Sequence, residues 1–249
     1  MGTIETIING KVATLLFFHP SSNSFPSTLL QQLTKEINAL GNNKSISVIV
    51  LKSSGTGAFC AGASFDELLS VSNFEEGSQF FSGFANVINA MRKCPKLIIG
   101  RIHGKAVGGG VGLAAACDYS FACTKSEIKL SEIAIGIGPF VIEPAVTRKI
   151  GKTAMSEITL NPTAWKTSNW AHEKGLYSEL FETIEELDLR LEEYTKKLSA
   201  YNEEALIEMK KVLWDDTSHW ENLLYERAAI SGKLVLSDFT KKALEKLKK

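Results

Sequence analysis

Ten residues constrain the fold more than any others: Gly104-Lys105-Ala106-Val107-Gly108-Gly109-Gly110-Val111-Gly112-Leu113. They follow an apolar run, Leu97 to His103, that reads as a buried strand. They run into Leu113-Ala114-Ala115-Ala116-Cys117, which reads as a small-residue helix. Three consecutive glycines therefore stand where a strand turns into a helix. Such residues let the backbone approach a ligand closely and adopt angles closed to other side chains. They also leave free N–H groups at the positive end of a helix, where developing negative charge is stabilised. A tight turn that packs a helix closely explains the same glycines equally well. Nucleotide-loop readings fail: Gly108-Gly109-Gly110-Val111-Gly112-Leu113 lacks the last glycine of G-x-G-x-x-G, and no G-x-x-x-x-G-K-S/T occurs nearby.

With 249 residues, 44% of them hydrophobic, the chain has material for one large core, or a core with a helical appendage. Its 28 basic and 28 acidic residues cancel, which gives no support to a nucleic-acid surface or an anionic membrane as the main partner. No apolar run approaches membrane-spanning length, and Met1 to Thr6 lack the charged and apolar regions of a signal peptide. Cys60, Cys94, Cys117 and Cys123 are scattered without C-x-x-C spacing, so reduced, buried thiols in a cytoplasmic protein are expected. His19, His172 and His219 are far apart, with no H-E-x-x-H spacing, so no metal site is expected. His103 reads as a packed or hydrogen-bonded residue at a strand end. Trp165, Trp170, Trp214 and Trp220 read as core and interface anchors.

Taken in order, residues 3–18 predict two strands around an Asn9-Gly10 turn. An amphipathic helix from Leu29 to Leu40 follows, then a β-branched strand from Ser45 to Leu51. Helical patterns at Phe65–Leu69 and Phe74–Met91 precede the Leu97–His103 strand, and short strands fall at Tyr119–Ala122 and Glu127–Leu130. Repeated β-β-α turns predict an α/β layered fold. Beyond Thr153 helices dominate, at 182–200, 203–213, 220–231 and 238–248. The chain thus divides into a ββα core over 1–190 and a helical region over 191–249.

A second strand-to-helix junction lies upstream: Gly57-Ala58-Phe59-Cys60-Ala61-Gly62-Ala63-Ser64-Phe65-Asp66-Glu67-Leu68. Ser64 with Glu67 three residues later makes a capping-box pattern. Two junctions built from Gly and Ala can offer two converging N–H donors, the requirement of an oxyanion hole. A serine hydrolase does not fit, because Gly62-Ala63-Ser64-Phe65-Asp66 is not G-x-S-x-G.

Three words in one order resemble the crotonase family, the enoyl-CoA hydratases and isomerases. They are Ala58 to Ala63; the Gly104–Gly110 run with Ala114-Ala115-Ala116-Cys117-Asp118; and Leu130-Ser131-Glu132-Ile133-Ala134-Ile135-Gly136-Ile137. The resemblance covers essentially the whole chain. It implies a crotonase-like spiral of β-β-α turns with a C-terminal helical trimerisation region, in a homotrimer or homohexamer. It implies an acyl-CoA thioester as substrate, with coenzyme A as the substrate's handle and no separate cofactor. Ala63 and Gly109 match the positions whose N–H groups hold the thioester oxygen, and Glu132 matches a catalytic glutamate. Ala61, Gly62, Ser64, Phe65 and Asp66 would line the acyl-CoA path, with Gly108 and Phe140 as further substrate-binding residues. Lys241, Lys242, Lys246, Lys248 and Lys249 read as solvated residues, one of which, the resemblance implies, could reach the CoA phosphates of a neighbouring subunit.

One family position departs from the pattern. The second catalytic glutamate of the two-carboxylate members falls on Gly112, which has no side chain to hold water. One carboxylate is enough to move a proton along an enolate, so 3-enoyl to 2-enoyl isomerisation competes with hydration of a 2-enoyl-CoA such as 3-methylglutaconyl-CoA. Glu143 is close enough in sequence to lend a second carboxylate, but reads first as a first-turn helix residue beside Pro144. A decarboxylase of the same family, or a non-catalytic acyl-CoA or RNA binder, remains the alternative.

Overall fold

Strand β1 (Thr3–Asn9) turns at Gly10, φ +58°, into β2 (Val12–Phe18). In the computed structural model, which describes residues 2–247, this hairpin is the edge of a six-stranded sheet. Its order is β1-β2-β3-β4-β6-β8, where β3 is Val48–Ser53, β4 Leu97–Ile102, β6 Tyr119–Cys123 and β8 Glu179–Phe181. Only β1 and β2 pair antiparallel; every other neighbour in this sheet is parallel.

The near-continuous apolar run of β3 follows from cover on both faces. Alternate residues point opposite ways. Ile49 and Leu51 join a core cluster with helices α1 (Ser27–Asn42) and α3 (Phe74–Lys93), while Val48 and Val50 join Leu187, Leu191 and Leu198 of α7 (Ile184–Leu198). The chain also forms α2 (Phe65–Ser70), β5 (Ala106–Val107), α4 (Gly109–Ala116), β7 (Ile128–Lys129), a 3-10 turn (Glu132–Ile135), α5 (Glu143–Thr159) and α6 (Ser168–Glu173). Strands β5 and β7 form a separate parallel pair.

The C-terminal helices α8 (Glu203–Leu213), α9 (Trp220–Leu234) and α10 (Asp238–Leu247) return to the core. A buried ion pair anchors α8: Lys210 Nζ lies 3.0 Å from Asp118 Oδ2, and both side chains are 3% exposed. Every oxygen and proton of the pair is used. Asp118 also accepts from the Ile98 N–H and from Trp214 Nε1, and Lys210 donates to the carbonyls of Met91 and Lys96. Trp214 and Trp220 meet edge to face, 5.9 Å apart.

Several boundaries differ from the sequence reading. Helix α4 begins four residues earlier than expected, at Gly109, because the close packing around it outweighs glycine's poor helix propensity. The β3 strand is shifted to 48–53, and β5, β8 and α6 are too short to show a period. The expected division at residue 190 falls inside α7. Trp165 is 37% exposed, with Lys105 and Lys129 over its ring, rather than a core anchor. Of the basic C-terminal segment, Lys248 and Lys249 lie outside the described residues. Among the described residues no helix is long and apolar enough to cross a membrane, and no group of three or more His, Cys, Asp or Glu side chains could hold a metal ion.

Candidate active site

The loop after β3 carries the first N–H donor. Phe25 N–H bonds to Gly62 O at 2.8 Å and Ser64 N–H bonds to Phe25 O at 3.0 Å. Because backbone groups alternate sides, Ala63 between them turns its own N–H away from Phe25. No acceptor takes that N–H among the hydrogen bonds of the described residues. Gly62 makes the turn at φ +87°, and a Cβ there would lie 2.9 Å from Val107 O and 3.3 Å from Gly109 N. The two strand-to-helix junctions are thus pressed together at Gly62.

The second donor opens α4. Gly108 precedes the helix at φ +52°, ψ −119°, and its N–H bonds to Lys129 O at 3.0 Å. Gly109 is the first helical residue, where N–H groups have no partner inside the helix. Its N–H has no acceptor among the described residues either. Phe84 packs beneath it: a Cβ on Gly109 would stand 2.8 Å from Phe84 Cε2.

Pairing of β5 with β7, Val107 opposite Lys129, brings the following 3-10 turn over this glycine loop. Glu132 Oε1 reaches within 2.8 Å of where a Cβ on Gly108 would be. Its other oxygen, Oε2, is buried with no hydrogen-bond partner. Desolvation pushes the Glu132 carboxyl up to about 7, against a weaker downward pull from its own N–H. The glutamate is therefore not the exposed loop residue that its composition alone suggests.

These groups share one cleft of about 790 Å³. Ala61, Gly62, Ala63, Phe65, Gly108, Gly109, Glu132 and Phe140 all line it. Ser64 and Asp66 do not. Ser64 is buried and its Oγ caps α2 by accepting from the Glu67 N–H, while Asp66 faces solvent. Glu67 accepts from the Ser27 N–H and hydroxyl, tying α2 to the start of α1. Glu143 also stays out of the cleft: it accepts from Thr147 Oγ1 at 2.7 Å and lies 3.8 Å from Arg227. Ile142 carries no signal in the sequence, whereas the basic segment that α10 holds does. Ile142 fills the space beside Gly112, and Lys242, Ala243, Lys246 and Leu247 of α10 close one side.

Two free N–H donors beside a desolvated carboxylate can hold an oxyanion and exchange a proton with the carbon next to it. The profile of the enoyl-CoA hydratase/isomerase family matches residues 7–245. The chain belongs to the enoyl-CoA hydratase/isomerase family, the crotonases. Its fold is that of an enoyl-CoA hydratase from Bacillus halodurans, with a TM-score of 0.90 at 24% identity, over 98% of this chain and 99% of that one. Human mitochondrial methylglutaconyl-CoA hydratase is 37% identical over 117 residues, which are 47% of this chain and 34% of that enzyme. The Alternaria alternata enoyl-CoA hydratase AKT6-1 is 29% identical over 182 residues, 71% of this chain and 59% of that enzyme. The chain thus spans about a third to three-fifths of the length of these curated crotonases.

Proposed function

We propose that this crotonase acts on an enoyl-CoA thioester, with the Ala63 and Gly109 N–H groups polarising the carbonyl and Glu132 moving the proton. The observation that carries the reading is the Glu132 carboxyl, buried, unpaired at Oε2 and raised to about 7 beside the two free donors. A base poised near neutrality both accepts and returns a proton at working pH. Electron density leaving the α-carbon settles on the thioester oxygen, where two aligned N–H dipoles meet it without reorganising.

Phe80, Phe81 and Phe84 supply apolar surface for an acyl chain, and Lys129, Lys242 and Lys246 supply positive charge in the same cleft for an anionic carrier. Migration of a double bond from C3 to C2 is the reaction that one carboxylate completes unaided. Hydration of a branched 2-enoyl-CoA is the second reading, favoured by the likeness to methylglutaconyl-CoA hydratases. The same reading carries a homotrimer or homohexamer, which light scattering tests.

The deciding experiment compares wild type with Glu132→Gln, pairing turnover of 2-enoyl- and 3-enoyl-CoA with calorimetric binding of a saturated acyl-CoA. Loss of turnover with retained binding supports the assignment. Undiminished turnover removes Glu132 from the chemistry.

A further inference from the structure

We infer that Ile142 is a specificity-determining residue that keeps water away from Glu132, confining the site to moving protons along the acyl chain. This rests on the enolate reading above and goes further, to which of its reactions the site permits.

Gly108, at the non-helical start of α4, and Gly112 inside it are joined across one turn by a Gly112 N–H to Gly108 O bond of 3.3 Å. The Glu132 carboxylate covers the first: its Oε1 would be 2.8 Å from a Cβ on Gly108. Ile142 covers the second: its Cβ would be 2.7 Å from a Cβ on Gly112. The carboxylate and the branched side chain thus cover the two ends of one backbone turn, and both line the cleft.

An ordered water needs two to four polar partners. Beside Glu132 the wall from Ile137 to Ile142 offers only Ile, Gly, Pro, Phe, Val and Ile. Glu143, the next carboxylate, is turned to Thr147 and Arg227. Ile142 cannot swing aside. It is 4% exposed, the Glu143 N–H bonds to Pro139 O on one side of it, and the Val146 N–H bonds to its own carbonyl on the other. Gly112 is the complement that admits it.

A site with one carboxylate and an apolar side chain at Gly112 has a defined chemistry. Glu132 takes a proton from C2 of a 3-enoyl thioester, and the electron pair passes to the thioester oxygen. The protonated Glu132 then returns the proton to C4, and the C3–C4 double bond becomes C2–C3. Nothing is added or lost, and no co-reactant is needed. Adding water would require a second group to hold and deprotonate it, and Ile142 occupies that place.

The test uses the full chain with 3-enoyl- and 2-enoyl-CoA in water labelled with deuterium and oxygen-18, read by mass spectrometry, for wild type and Ile142→Thr. Expected for wild type is 3-enoyl-CoA converted to 2-enoyl-CoA, separated by chromatography before mass spectrometry, with no oxygen-18 and little deuterium, because Glu132 returns the proton it took. Expected for Ile142→Thr is oxygen-18 hydration at least about tenfold above wild type, its hydroxyl giving water a partner. Wild-type hydration at a rate comparable to double-bond migration overturns the inference, and this arm needs no variant to fold. A folded Ile142→Thr that shifts the double bond yet gains no hydration overturns it as well. Absence of double-bond migration in wild type is a different failure: the enolate reading itself falls, and this inference with it.

Discussion

Glu132 Oε1 lies over Gly108, 2.8 Å from the place a Cβ would take. The residue that opens the anion-holding helix is thus also the floor beneath the base. Gly108→Ala brings two penalties at once. Its backbone sits at φ +52°, ψ −119°, where L side chains are strained, and its methyl group displaces the carboxylate. We expect kcat to fall about 100-fold, in the range for a misplaced acid/base, with acyl-CoA affinity changed far less. Steady-state kinetics beside calorimetric binding checks the split.

Activity should rise with pH through about 7 as Glu132 ionises in the free enzyme. Replacement by Gln removes that limb along with two to four orders of magnitude of rate, roughly the contribution of a positioned acid/base. The measurement is a pH profile of kcat/KM.

Stability carries two opposed pH terms. The folded state holds the Glu132 proton up to about 7, above the ordinary 4.5, so this term lowers stability as pH rises between those values. His103 does the reverse. Burial, helped by the nearby Arg101 charge, lowers it to about 4 from 6.5, so its term raises stability across that window. Each is worth about 3 kcal/mol, at 1.4 kcal/mol per pH unit. The wild-type curve should be nearly flat from pH 4.5 to 6.5. Glu132→Gln should expose the rising limb and His103→Phe the falling one, in denaturant titrations at several pH values.

Gly112→Ala should overpack against Ile142, costing about 1–3 kcal/mol. Combined with Ile142→Ala the loss should be well below the sum of the two single effects, since the added methyl group fills part of the space that the truncation opens. A double-mutant cycle of unfolding free energies reads the coupling directly.

Asp118→Ala strands the Lys210 ammonium, 3% exposed, in the core. The expected cost is about 3–5 kcal/mol, far more than any surface pair in the chain would show. Chemical denaturation measures it, and a loss below about 1 kcal/mol would mean that water reaches Lys210.

Much of this was readable from the sequence. Gly and Ala at two strand-to-helix junctions marked where N–H groups go unpaired, and both Ala63 and Gly109 line the cleft. The Ser64–Glu67 spacing marked a helix cap, and Ser64 caps α2. Its side chain is used up there, which is why it does not also reach the cleft. Asp66 stays out for a related reason: on α2 the face turned to the cleft is that of Phe65 and Leu68, three apart, and Asp66 lies off it. Other features have no local signal. Ile142 opposite Gly112, and Phe84 beneath Gly109, are partners chosen by packing across tens of residues. Glu132 reads as an ordinary charged residue until the β5–β7 pairing buries it.

The contribution of α10 sets an order of assembly. A chain emerging N-terminus first has both N–H donors and Glu132 well before residues 242–247, which supply the last wall. Until that helix docks against the 3-10 turn at Glu132–Ile135, the cleft stands open on that side. The donors and the base are thus in place before the wall that encloses the substrate.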